Sequence, residues 1–213
     1  MSDAATQGDE QRHWIVRHFD VLIAVLLGVA AILTAFAAYR ASLDDGDALK
    51  NYSASTRLAA DASQQWTQGN QVEAFNQSLF LDYATAAAKK DLAVAAYIRT
   101  ALMDEGLQRA VAWWERQPDS GPDSPFVAEN PAYVNPAYVE GQRLDQAALA
   151  AFAEGARFDD RGDQYTLATV TLAVCLFLLG LAAVFKGFAL KAGMAALGSV
   201  ALVVAVVQIG QAL

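Results

Sequence analysis

The feature that most constrains this chain is a pair of uncharged apolar runs at its C-terminal end. Tyr165 to Phe185 holds no charged residue, and beyond a link carrying Lys186 and Lys191 the stretch from Ala192 to Leu213 is uncharged again. A helix needs about 20 apolar residues to cross a hydrocarbon layer about 30 Å thick, and each run supplies that length. With so short a link the two can only be antiparallel neighbours, so residues 165–213 are expected to form a transmembrane hairpin. A third apolar run extends from Val21 to Tyr39, behind Arg12, Trp14 and Arg17, residue types that favour the membrane–water boundary. A signal peptide is the competing reading, with Ala35-Phe36-Ala37 as the cleavage site. The run of nineteen residues exceeds a secretory core, however, and its flank is acidic as well as basic (Asp3, Asp9, Glu10, Asp20). It is read as a retained anchor.

The fold class expected is therefore an all-α membrane protein: a tail over residues 1–19, a first crossing over 20–40, a helical-bundle soluble region over 41–164 and the hairpin over 165–213. Hydrophobic residues make up 55% of the 213, in line with a partly embedded chain. The net charge of −8 is concentrated in residues 41–164, with 19 acidic and 10 basic side chains. An acidic exposed region argues against nucleic acid, whose phosphates demand a basic face. Cys175 is the one cysteine, so no intrachain disulfide is possible. Lysine and arginine counts at the helix ends tie, but Lys186 and Lys191 sit in a tiny link without acids. This favours an inner membrane location with the N-terminus inside and the soluble region outside.

Between the first two crossings the pattern is helical, with no period-two alternation of any length. Tyr52, Ser55, Ala59, Ala62 and Trp66 make a narrow stripe, which Gly69-Asn70 is expected to end as a C-cap and turn. A helix from near Gln71 carries Val72, Phe75, Leu79, Tyr83 and Ala86 on one face. Lys89-Lys90-Asp91 interrupts it, and Leu92, Ala95, Ile98 and Leu102 resume the period. A break is expected at Asp104-Glu105-Gly106, followed by a short helix on Leu107, Ala110, Val111 and Trp114. Residues 118–139 hold all five prolines and a tandem repeat, Asn130-Pro131-Ala132-Tyr133-Val134 and Asn135-Pro136-Ala137-Tyr138-Val139. Proline at this density predicts a loop, with helix returning near Glu140 and running on toward the second crossing. In that helix Leu144, Ala148, Ala151, Gly155 and Phe158 form one stripe, Leu149, Phe152 and Ala156 another.

Several pieces, in this order, resemble a family of uncharacterised bacterial integral membrane proteins with one N-terminal crossing, a helical region and a C-terminal hairpin. They are Ala38-Tyr39-Arg40, Ala110-Val111-Ala112-Trp113-Trp114, Ser124-Pro125-Phe126, Pro136-Ala137-Tyr138-Val139 and Gly162-Asp163-Gln164-Tyr165-Thr166-Leu167-Ala168-Thr169-Val170. The last continues through Ala173 into Leu176-Phe177-Leu178-Leu179-Gly180. What the resemblance implies is architecture and no chemistry.

Candidate sites are few. Residues 41–164 contain neither histidine nor cysteine, which removes His-based triads, cysteine nucleophiles and the common zinc sets from that region. No enzymatic activity and no cofactor are expected. His13 and His18, five apart, do not share a helical face. Asp44, Asp45 and Asp47 beyond the first crossing, and Asp159, Asp160 and Asp163 before the second, should emerge near one another. Oxygen-rich clusters with glycine can hold a divalent cation, although neither fits a calcium loop; the competing reading is helix-end chemistry, with Asp163 capping the second crossing. Arg161-Gly162-Asp163 as an adhesion tripeptide is chance. Partner-docking candidates are Trp113, Trp114, Tyr133 and Tyr138. Small residues four apart (Ala24 and Gly28, Ala195 and Ser199, Ala201 and Ala205) mark helix-packing faces, internal or between copies. The function expected is a non-enzymatic scaffold or accessory subunit in the bilayer; the alternative is a subunit of an oligomeric channel or transporter, with Thr169, Thr171 and Gln208 facing a common axis.

Overall fold

A computed structural model describes the backbone over residues 3–118 and 120–213, and the side chains of those residues from His18 onward. Most of the expected tail, including His13, lies outside the described side chains. Among the described residues the chain is all-α. It has five α-helices: α1 (Asp3–Ala88), α2 (Leu92–Tyr97), α3 (Glu105–Trp114), α4 (Pro136–Val184) and α5 (Phe188–Ala212), with a π-helical turn at Ile98–Leu102 after α2. Two are very long: α1 has 71 residues from His18 onward, and α4 has 49. Three, α1, α4 and α5, are long and apolar enough to cross a membrane. The chain divides into two compact units, residues 1–53 with 151–213 and residues 54–150.

In the first unit the buried positions of α5 are Lys191, Ala195, Gly198, Leu202, Ala205, Ile209 and Ala212, a strict four-three alternation. On α4, Tyr165, Ala168, Leu172, Cys175, Leu179 and Ala182 are buried, and on α1 Ile23, Ala30, Ala37 and Ala41. Such spacing averages 3.5 residues and keeps one seam turned to the neighbouring helices along their length. More than half of these positions are Ala or Gly, so backbones approach closely. A Cβ at Gly198 would lie 2.8 Å from Leu179 Cγ, and one at Gly155 2.8 Å from the Tyr52 ring. Many large apolar residues point the other way. Val21, Ile32, Phe36, Leu167, Phe177, Val200 and Val203 are exposed, and only 17%, 28% and 22% of the three most apolar windows are buried.

The second unit has an ordinary interior, in which Leu79, Phe80, Ile98, Met103, Leu107 and Val111 cluster, with Tyr83, Trp114 and Phe126 against them. Its helices end where side chains can satisfy them. α1 stops at Ala88 because Lys90 adopts a left-handed backbone (φ 60°), returning the Asp91 N–H to the Ala86 carbonyl at 3.0 Å. Asp91 then accepts from Val94 N, and Asp104 from Leu107 N at 2.7 Å, capping α2 and α3. The interruption at Lys89-Lys90-Asp91 and the break near Asp104 thus fall where the sequence places them.

Four expectations differ. α1 does not end at Gly69-Asn70. Gly69 is buried mid-helix beneath the Tyr138 ring, which occupies the space a Cβ would take; the glycine serves close approach and not a turn. Helix returns at Pro136, four residues before Glu140, because proline at the first helical position loses only an N–H that would have no helical acceptor. α4 runs unbroken through Asp163, so that residue caps nothing; it is an exposed mid-helix side chain. Finally, Phe75 and Leu92, expected on inward faces, are 62% and 74% exposed.

Candidate functional site

Two polar layers bound the apolar part of the first unit. The first is a four-membered arrangement built from i, i+4 pairs on two helices: Arg40 and Asp44 on α1, Arg161 and Tyr165 on α4. Asp44 is 3% exposed and its Oδ1 accepts from Arg161 Nη2 at 2.9 Å. The Arg40 guanidinium lies over the Tyr165 ring at 5.6 Å, and that of Arg161 over Phe158 at 4.9 Å. Tyr165 is wholly buried and donates its hydroxyl to the Ala212 carbonyl at 3.2 Å, tying in the end of α5. Three buried polar atoms here have no partner: Arg40 Nε, Arg161 Nε and Asp44 Oδ2. The second layer is an ion pair between Lys191 and Asp20, beside the Phe19 and Phe188 rings. Between the layers the hydroxyls turn back on their own helices: Thr34 to Ala30 O, Thr169 to Tyr165 O, Thr171 to Leu167 O and Ser199 to Ala195 O. Gln208 Oε1 is buried and unpartnered.

The two acidic clusters do come together. Asp44 is bound to Arg161, and a Cβ on Gly162 would lie 2.6 Å from Asp45 Oδ1. Asp47 is held by Lys50 at 2.7 Å. Asp159 and Asp160 stand by Tyr52, whose hydroxyl is pushed above its ordinary value first by burial and then by those carboxylates. The buried carboxylate thus faces a guanidinium, and among the described residues no three His, Cys, Asp or Glu groups gather as metal ligands. Of the small-residue pairs, Ala195 and Ala205 are buried with Ser199 and Ala201 partly so, whereas Ala24 and Gly28 are on the exposed face.

In the second unit the tandem repeat proves to be one local structure used twice. In each copy the Asn Oδ1 accepts from the N–H two residues on, at 3.0 Å for Asn130 to Ala132 and 3.1 Å for Asn135 to Ala137. The tyrosine N–H returns to the Asn carbonyl in both copies. The amide groups then reach across the fold: Asn130 Nδ2 donates to the carbonyls of Ala110 and Pro125, and Asn135 Nδ2 to that of Gly69 at 2.9 Å. Both asparagines are buried. These are clasps that fix the loop to α3 and α1.

The aromatic docking candidates are half-buried and engaged internally. The Tyr133 ring meets Phe126 edge-on at 4.9 Å. Tyr138 packs on Trp66 at 5.4 Å; its hydroxyl lies 2.7 Å from both Glu73 Oε2 and Asn70 Oδ1 and gives its one proton to the Glu73 carboxylate. Its hydroxyl is pushed up to about 12, mainly by the bond to Glu73 and then by burial. Trp114 meets Phe80 edge-on and donates its indole N–H to the Pro122 carbonyl at 2.7 Å. Trp113 is half-buried, and its carbonyl accepts from Gln117. An open groove of about 470 Å³ lies beside Trp114, edged by Glu115, Gln117, Pro122 and Asp123. Glu115 is engaged, bridging Arg99 at 2.9 Å and the Tyr83 hydroxyl. Sequence reasoning missed the roles of Arg40, Tyr165, Trp66 and the two asparagines; the available signal was the four-residue spacing of Arg40 to Asp44 and of Arg161 to Tyr165. Compared with protein-family models, with curated proteins and with solved structures, the chain matches none.

Proposed function

We propose that this is an integral membrane protein that works by contact, as a scaffold or accessory subunit, and not by catalysis. The observation that carries the reading is the distribution in the first unit: more than half of the seam positions are Ala or Gly, while many large apolar side chains (Val21, Ile32, Phe36, Leu167, Phe177, Val200 and Val203) stand exposed outside it. In water that arrangement would expose apolar surface far beyond what a soluble monomer shows; in lipid it is the expected one, because close backbone packing is what holds membrane helices together. The spans are residues 20–40, 165–185 and 192–213. Arg40 lies twenty residues beyond Asp20, which at 1.5 Å per residue separates the two polar layers by about 30 Å, one hydrocarbon thickness. The N-terminus and the 186–191 link share the inner face; residues 41–164 and the C-terminus share the outer.

Contact is the role favoured because residues 41–164 hold neither histidine nor cysteine, and among the described residues no three His, Cys, Asp or Glu groups gather as metal ligands. Exposed Leu81, Leu92, Val94 and Tyr97 in the second unit offer apolar side chains to a protein partner. The alternative, a channel or transporter subunit, calls for polar groups turned outward from the spans, whereas the hydroxyls of Thr34, Thr169, Thr171 and Ser199 are already donated to carbonyls of their own helices.

Two measurements test the reading. Full-length protein is expected in the alkaline-carbonate-resistant pellet, and a cysteine at Ser120, with Cys175 replaced, should react with an impermeant maleimide in intact cells. Recovery in the supernatant overturns the membrane assignment, and protection until lysis overturns the orientation. Crosslinking in native membranes should then capture a partner that Leu92→Glu with Tyr97→Glu releases; capture unaffected by those changes removes the contact face.

A further inference from the structure

We infer that the outer polar layer is a binding site for one phospholipid headgroup that carries both a phosphate and an ammonium, with Arg40 taking the phosphate. The inference rests on the membrane reading above and adds to it a ligand and its chemical class. Arg40 sits at the hydrocarbon edge, flanked by the exposed Tyr39, and forms no ion pair among the described residues. Its guanidinium lies over the Tyr165 ring with Nε enclosed by the protein, and the terminal nitrogens of this half-buried side chain, which have no acceptor among the described residues, are left to a headgroup. An unpaired guanidinium at that depth is matched by a phosphate oxygen, which accepts in a charge-assisted bond.

Farther from the hydrocarbon the sign reverses. Asp44 and Asp45 lie four and five residues beyond Arg40 on α1, about 6–8 Å along the axis. On α4, Asp160 and Asp163 flank Gly162 in sequence, the glycine that Asp45 approaches. Arg161 neutralises one oxygen of Asp44, but Asp44 Oδ2 is buried without a donor, and Asp45, Asp160 and Asp163 form no ion pair among the described residues. The charge order is thus positive inside and negative outside. A phosphoethanolamine headgroup has the opposite order, phosphate on the hydrocarbon side and ammonium beyond it. A phosphoglycerol headgroup shares the phosphate but would place no positive charge against the carboxylates.

The test uses full-length protein in detergent micelles, with retained lipid counted by native mass spectrometry. Phosphatidylethanolamine, phosphatidylglycerol and diacylglycerol of equal chain length are each added. Phosphatidylethanolamine should be retained roughly tenfold better than phosphatidylglycerol, and phosphatidylglycerol roughly tenfold better than diacylglycerol, each step being what one charge-assisted hydrogen bond supports. Arg40→Gln should lower phosphatidylglycerol retention to that of diacylglycerol and phosphatidylethanolamine retention roughly tenfold, and Arg40→Lys should restore both. Asp45→Asn with Asp163→Asn should erase the preference over phosphatidylglycerol while leaving the preference over diacylglycerol. Equal retention of the three lipids, or an unchanged Arg40→Gln variant of wild-type thermal midpoint, overturns the inference. Full displacement by soluble phosphoethanolamine at equal concentration overturns its assignment to a lipid. Carbonate extraction of the same variants separates the two failures: a pelleted protein without headgroup preference sinks this site alone.

Discussion

Replacing Gly69 by alanine sets helix propensity against packing, and the two predict opposite signs. In an open helix interior the change should stabilise by up to about 1 kcal/mol, since glycine there carries the larger entropy loss. Gly46, also within α1, meets nothing within 4 Å of where its Cβ would stand and should show that gain. At Gly69 the new methyl would fall inside the Tyr138 ring. The neighbour is an aromatic ring fixed at both ends, by Trp66 on its face and by Asn70 and Glu73 at its hydroxyl. Displacing it forfeits a ring pair of about 0.5–1.5 kcal/mol and a hydrogen bond to a carboxylate of about 1.5–3 kcal/mol. Less the propensity gain, Gly69→Ala should destabilise by about 2 kcal/mol, which for a chain of this length lowers the thermal midpoint by roughly 4–8 °C. Gly46→Ala should raise it by a few degrees.

The assay pairs thermal unfolding of the detergent-solubilised chain with an ultraviolet titration of its tyrosines. In Gly69→Ala one tyrosine should move from about 12 toward the ordinary range, as Tyr138 leaves Glu73. If Gly69→Ala stabilised as Gly46→Ala does, with the titration unchanged, the packing of Tyr138 on α1 would be refuted.

Three further outcomes follow from the geometry. Because folded Tyr138 holds its proton up to about 12 while the unfolded chain releases it near 10, the unfolded state binds fewer protons between those values, and stability should fall as pH rises through that window; Tyr138→Phe should flatten the slope of the unfolding midpoint against pH. Asn130→Ala deletes bonds to the Ala110 and Pro125 carbonyls and from Ala132 N, so about 2–3 kcal/mol should be lost in denaturant unfolding, whereas Gln142→Ala on the exposed face should stay within about 0.5 kcal/mol. Asp20→Asn strands the buried Lys191 ammonium and should lower the midpoint, while Asp20→Leu with Lys191→Met should restore it, since an ion pair of this kind is costlier to break than to replace.

What could be read in the sequence is what depends on single residues and their near neighbours. The three apolar helices follow from hydropathy summed over about twenty positions, and the break at Lys89-Lys90-Asp91 and the start at Asp104 from local capping chemistry. The misreading at Gly69 involves a partner far along the chain. A glycine before an asparagine has two uses, a turn or a close approach, and at Gly69 the choice was made by Tyr138, invisible at that distance in sequence. Proline density spoke for a loop through Val139, but Pro136 follows an asparagine whose carboxamide oxygen accepts from Ala137, a helix start and not a further turn. The tyrosines of the repeat looked like exposed docking groups because each stands beside prolines. The buried asparagines instead draw the segment inward, leaving the tyrosines half-buried and the prolines and valines of the repeat exposed.

The inverted packing of the first unit carries a consequence that separates lipid from water at one position. Val200, near the middle of α5, is 62% exposed and is not among the buried positions of that helix. Were that face wetted, Val200→Lys would be a surface substitution within about 0.5 kcal/mol of neutral, improving solubility. Facing lipid, the ammonium lies too deep to escape easily and should cost about 2.5–3.5 kcal/mol at the helix centre, against a small favourable contribution from valine. That difference corresponds to roughly a hundredfold shift against insertion, read as loss of the carbonate-resistant fraction and faster turnover in cells. Ala205→Leu, on the buried seam of the same helix, tests packing instead: it should weaken the fold while leaving the chain in the membrane pellet. If Val200→Lys accumulated like wild type with an unchanged midpoint, the outward valines would have to face water, and the three long helices would need a different explanation for their composition.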